Sequence, residues 1–121
     1  MTDRRVRSEL MKECALAIEQ LIDIFVQFET RFGFFTTTFM HQTIITLRDT
    51  LVTICDTLQW KHNQIPPREA ELHAFFLLIL NDILTINATF PRISPAEKTR
   101  IIRQIKRQCR TLHYLLRNCY Q

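Results

Sequence analysis

A single glycine, Gly33, occurs in 121 residues, and that scarcity restricts the fold more than any other feature of the chain. Tight hairpin turns, bulges and phosphate-cradling loops need residues that tolerate positive φ or very close backbone approach, which glycine supplies. β-Sandwiches, β-barrels and glycine-rich phosphate loops are thereby nearly excluded. With only four prolines, long helices meet few interruptions. Hydrophobic residues make up 46% of the chain, nine of them Phe, which is ample material for a core. A chain of this length buries roughly two-thirds of its unfolded surface, so it needs no disulfide or metal to fold. Its length suits one domain over residues 1–121.

Apolar spacing predicts four helices. In the first, from about Arg4 to Phe28, Leu10, Cys14, Ile18, Leu21, Phe25 and Phe28 recur every three or four residues and share one face. The stretch Thr30–Thr37 breaks it, with Gly33 free to turn left-handed. A second helix starts near Thr38 as N-cap and ends near Trp60, carrying Met40, Ile44, Leu47, Leu51, Ile54 and Leu58. Its many Thr and Ile favour strands, but periodicity over so long a window outranks propensity. Pro67 suits the first turn of a third helix, whose N-terminal dipole Glu69 and Glu71 complement. Leu72–Ile86 is apolar nearly all round, the mark of a central helix packed on several sides. Asn81 and Asp82, after its apolar run, are expected at a helix end or connector. Ser94-Pro95-Ala96-Glu97 reads as a capping box opening a fourth helix to about Cys119, with Ile101, Ile105, Cys109, Leu112 and Leu116 inward. The expected fold is all-α: about four amphipathic helices, as a bundle or as stacked helical hairpins.

The net charge of +4 is concentrated at one end of the sequence. Residues 96–121 hold seven Lys or Arg and one acid, Glu97. Arg100, Arg103, Arg107, Arg110 and Arg117 fall on one stripe of the fourth helix, with Lys98 and Lys106 beside it. Planar guanidinium groups in a row can take up phosphates or carboxylates, which makes Arg100, Arg103, Lys106, Arg107, Arg110 and Arg117 candidates for an acidic protein surface or an RNA backbone. The plainer reading is a solvated helix face whose arginine stems cover the core. No base-reading motif accompanies the stripe.

Catalysis finds no footing. His41, His62, His73 and His113 are scattered, and no nucleophile–base, paired-carboxylate or metal-ligand spacing appears, so neither enzyme activity nor a cofactor is expected. Cys14, Cys55, Cys109 and Cys119 form no CxxC pair and sit at apolar positions, as free thiols do. The N-terminus MTDRRVRSELMKE is too charged for a signal peptide, and the longest apolar run, Ala74–Leu80, is too short to span a bilayer. An intracellular setting, nuclear or cytoplasmic, and no membrane association are therefore expected; the Asn87-Ala88-Thr89 sequon would then go unused.

The aromatics Phe25, Phe28, Phe32, Phe34, Phe35 and Phe39 cluster about the first connector. They cap one end of the helices, or else Phe32, Phe34 and Phe35 form a docking site. Phe75 and Phe76 on the apolar third helix are candidates for the same role, and Trp60-Lys61-His62 is read as an end-of-helix anchor.

Glu69-Ala70-Glu71-Leu72, followed by Phe75 and Leu78, resembles the acidic-Ala-Glu-Phe-x-x-Tyr-x-x-Leu signature of the SAC/GANP helical region. The preceding amphipathic stretch Thr46–Leu58 and the following Phe90-Pro91 loop and polar helix match that region's surroundings, over about Cys14–Leu116. Leu72 and Phe75 replace the family's aromatic pair, and its Cys-Pro segment and winged-helix portion have no counterpart. The resemblance implies a non-enzymatic scaffold piece linked to nuclear mRNA export, with protein partners and the basic helix on an acidic surface or RNA. The alternative from another class is an autonomous small bundle that self-associates through the first connector or the third helix. It would have a structural or regulatory role, viral or accessory among others, and would not bind nucleic acid.

Overall fold

The computed structural model describes residues 4–32, 36–60 and 64–121. It holds four helices: α1 (Arg4–Phe32), α2 (Thr37–Thr57), α3 (Ala70–Thr89) and α4 (Pro95–Asn118). Short 3-10 turns at Pro67–Glu69 and Phe90–Arg92 flank α3, and no strand occurs among the described residues.

The apolar stripes become the core. Cys14, Ile18, Leu21 and Phe25 of α1 are buried, as are all six residues expected from α2, and one buried cluster draws on all four helices. Met11 and Ala15 widen the buried face of α1, and on α4 it is Ile102 that is buried, with Ile101 at the margin. Phe25, Phe76 and Phe90 are the bulkiest side chains wholly removed from water. Each such burial contributes about 1.5–3 kcal/mol.

Element ends differ from the sequence expectation. α1 runs four residues beyond Phe28. The cap of α2 is Thr36, first of three consecutive threonines, whose Oγ1 accepts from Phe39 N at 3.1 Å; Thr38 lies inside the first turn. α2 stops at Thr57, short of Trp60. Leu58 closes it, Gln59 turns left-handed at φ 57°, Gln59 N–H donates to Asp56 O, and Trp60 N–H donates to Cys55 O. This is a Schellman closure with glutamine at the position glycine normally takes. On α4, Ser94 Oγ accepts from Glu97 N at 3.2 Å while the Glu97 carboxylate turns to Arg100, so half of the expected capping box forms.

The helices alternate in direction, and α1, first in sequence, packs most extensively on α4, the last. That contact closes a four-helix bundle and replaces the alternative of successive stacked hairpins. The third helix is not the central element. Leu72, Phe76, Ile79 and Ile83 face the core, while Leu77, Leu78 and Leu84 on its other side are about half exposed. Asp82 lies in the middle of α3, where Gln108 Nε2 of α4 donates to it at 3.1 Å, rather than at a helix end. By length and composition Pro67–Arg92 is long and apolar enough to cross a membrane, which the seven-residue run Ala74–Leu80 taken alone does not signal.

A buried carboxylate ties one end of the bundle. Glu69, with none of its surface exposed, accepts from Arg7 Nε at 2.5 Å and Nη2 at 2.6 Å, from Trp60 Nε1 at 2.9 Å and from the Tyr120 hydroxyl. Arg7 Nη2 also reaches Leu58 O at 2.9 Å, and Arg68 Nε donates to Cys119 O at 2.8 Å. The start of α1, the end of α2, the start of α3 and the end of α4 thus meet at one residue. Burial pushes the Glu69 carboxyl up, but the donors from Arg7, Tyr120 and Trp60 outweigh it and hold the group below the usual carboxylate range. Aromatic packing closes the other end: Phe28 stacks on Phe39 at 3.8 Å, and Phe25 meets Phe39 edge-on at 6.3 Å.

Candidate polyanion-binding face

The basic face follows from the way α4 is seated. Ile102, Ile105, Cys109, Leu112 and Leu116 turn one side inward, so Arg100, Arg103, Arg107, Arg110 and Arg117 emerge on the other, all exposed, with Lys106 half-buried beside them. Lys98 does not join them. It is buried, with Nζ 4.9 Å above the Phe90 ring in a cation–π contact.

Arg100, Arg103, Lys106, Arg107 and Arg110 line a shallow recess of about 450 Å³ between α4 and the C-terminal part of α1. One α1 acid, Glu29, enters it, accepting from Lys106 Nζ at 3.2 Å and from Arg103 Nη2 at 3.4 Å. Arg100 is held from its own helix by Glu97, with Nε to Oε2 at 3.0 Å; those hydrogen bonds keep the Glu97 carboxyl below its usual range and raise the Arg100 guanidinium. Arg107 and Arg110 meet no carboxylate within ion-pair distance among the described residues. Arg117 lies apart, over a separate recess of about 330 Å³ with Lys12, Glu19 and His113. The stripe expected from sequence is therefore divided. Five cations share one trough and the sixth stands about two turns beyond.

The candidate docking phenylalanines fare differently. Phe34, Phe35, the Phe32 side chain and Gly33 lie outside the described residues, as do Lys61 and His62. Phe76 cannot dock a partner: it is fully buried, edge-on to Trp60 at 5.0 Å, because α3 turns that side to the core. Phe75 is half-buried against the same cluster. Trp60 is the anchor expected of it, buried between Phe76 and His73, whose ring lies 5.2 Å away.

Sequence reasoning missed Glu69, which it read as an acid complementing a helix dipole. Its partners stand 9, 51 and 62 positions away, so no local pattern signals the cluster. Another recess, about 420 Å³ between α1 and α2, is lined by Glu13, Cys14, Asp49 and a row of threonines. The hydroxyls of Thr50 and Thr53 there are bonded to Thr46 O and Asp49 O within their own helix. Among the described residues no group of three or more His, Cys, Asp or Glu is arranged to hold a metal, and the four cysteines are free thiols. Burial pushes Cys14 up to about 11 and Cys109 up to about 12, so neither is a ready nucleophile. No protein-family model, curated protein or solved structure matches the chain.

Proposed function

We propose that this chain is a non-enzymatic interaction domain whose α4 trough binds the phosphate backbone of RNA without reading its sequence. The observation that carries the reading is the gathering of five cations about a single α1 acid, with Arg107 and Arg110 left without a carboxylate partner among the described residues. Guanidinium groups offer phosphate two parallel donors each, and cations along one trough add their potentials over successive phosphates. Glu29 fixes Arg103 and Lys106 in place, which lowers the cost of ordering them when a ligand arrives. The resemblance of Glu69–Leu78 to the SAC/GANP helical region, which implies an acidic surface or RNA against the basic helix, is consistent with RNA as the polyanion and with a scaffold of nuclear mRNA export as the setting.

The test is fluorescence anisotropy of a labelled uridine oligonucleotide titrated with the chain across a salt series. Binding should weaken linearly on a log–log scale with added salt, and Arg107→Glu with Arg110→Glu should flatten that slope by about 1.4, two single-strand phosphate contacts' worth. No binding at about 100 µM protein in low salt, or a slope that the double variant leaves unchanged, overturns the reading.

A further inference from the structure

The outer face of α3 is apolar, uncharged and uncovered. Leu77, Leu78 and Leu84 are 47%, 53% and 50% exposed, and Ala74, Asn81, Thr85 and Ala88 complete the face. The Thr85 hydroxyl donates to Asn81 O at 3.0 Å, so that side chain presents its methyl outward. Asp82 is turned aside to Gln108 of α4. Charge appears only beyond the two ends, at exposed Glu71 and exposed Arg92.

The order of residues along this face is nearly the same in either direction about Asn81. We infer that two copies of the chain pair through α3, antiparallel, about a twofold axis at Asn81. This register sets Leu78 against Leu84, Leu77 against Thr85 and Ala74 against Ala88, over about 21 Å of helix. Asn81 meets its own copy, and because an amide carries both donors and an acceptor, the two satisfy one another across the axis. Such a central amide also fixes register, since a slipped pairing buries it against leucine. The ends complete the match: Glu71 of each copy comes opposite Pro91 of the other, one residue from Arg92 on the turn that follows α3 and within reach of its long side chain. A parallel pairing instead brings Glu71 to Glu71 and Arg92 to Arg92, two repulsions that select the antiparallel form. A lipid surface suits the face less well, because an interfacial helix carries basic residues along its polar flanks and keeps its apolar side free of a central amide. The pairing leaves the α4 trough unused and stands independently of RNA binding.

Sedimentation equilibrium of the full chain from about 1 to 200 µM reads the outcome directly, with a reversible rise to twice the chain mass expected in that range. Leu78→Lys with Leu84→Lys, both at exposed positions, should weaken dimerisation at least about tenfold, while helical circular dichroism and the urea midpoint, both read at concentrations where the parent is monomeric, stay unchanged. Glu71→Arg alone or Arg92→Glu alone should weaken it, and the two together should restore it, a rescue that loss of folding cannot imitate. The inference falls if the chain stays monomeric throughout, if the lysine variant dimerises as well as the parent, if the charge exchange fails to restore pairing, or if flotation with phosphatidylcholine vesicles removes the chain at concentrations where it does not pair.

Discussion

A carboxylate taken wholly out of water is costly unless its oxygens are filled, and Glu69 fills them from Arg7, Trp60 and Tyr120. The energetic weight of this cluster lies in what is lost when it is broken. Glu69→Gln strands the Arg7 guanidinium beside a neutral amide and should cost about 3–5 kcal/mol at neutral pH. The pH profile follows from the surroundings of these groups. Glu69 is held below its ordinary 4.5, so its contribution is complete above that pH and is lost as pH falls through the lowered value. Tyr120 is pushed up to about 12 by burial and by donating to Glu69, so its contribution is complete below 10.0 and is lost as pH rises toward 12. Cys14 and Cys109 add to the alkaline loss, which for them begins above 9.0. The urea midpoint should be flat from about pH 5 to 9 and fall on both sides. In Glu69→Gln the acid fall should shrink, and an acid limb as steep as the parent's would show that Glu69 does not drive it. None of this was legible in the sequence, because the cluster is assembled from four elements and each member taken alone reads as an ordinary helix-end residue.

At the scale of the element, the closure of α2 is the sharpest departure from local preference. Gln59 adopts a left-handed conformation at φ 57° in which its Cβ is crowded, at a cost of about 1–2 kcal/mol that glycine avoids. Gln59→Gly should therefore stabilise the chain by about 0.5–1 kcal/mol, less than the full strain because glycine also gains freedom in the unfolded state. An unchanged or lowered thermal midpoint would mean that the glutamine side chain supports the turn. The stripes of α1, α2 and α4 were legible because one side of each is polar, so spacing alone locates the buried face. α3 was not, since leucines on both sides erase the period. A helix apolar nearly all round reads as a central one packed on several sides, whereas Phe76 faces inward and Leu78 outward. The arginine stripe of α4 was legible for the same reason as the core stripes. Its division into a trough and an outlying Arg117 was not, because Glu29 and α1 enter from more than 70 residues away.

In the whole molecule, the stabilising contacts are distributed unevenly along the chain. α1 has its largest neighbour in α4, and Arg7 reaches Glu69 only where Tyr120 also arrives. Interiors of this kind form cooperatively, because removing any one helix exposes the apolar faces of the others. The pairing of the first helix with the last also has a consequence for a chain made from one end to the other. On the ribosome α1 emerges first, yet the surface that covers it is translated last, so α1, α2 and α3 wait together as an incomplete bundle with a large apolar face toward solvent. Nascent chains arrested with residues through Ile93 outside the ribosome should be cut rapidly by protease, and those exposing residues through Gln121 should resist. Equal resistance at both lengths would mean that three helices suffice. The order of synthesis thus leaves the inner faces of α1, α2 and α3 to meet water, or one another out of register, until α4 has emerged.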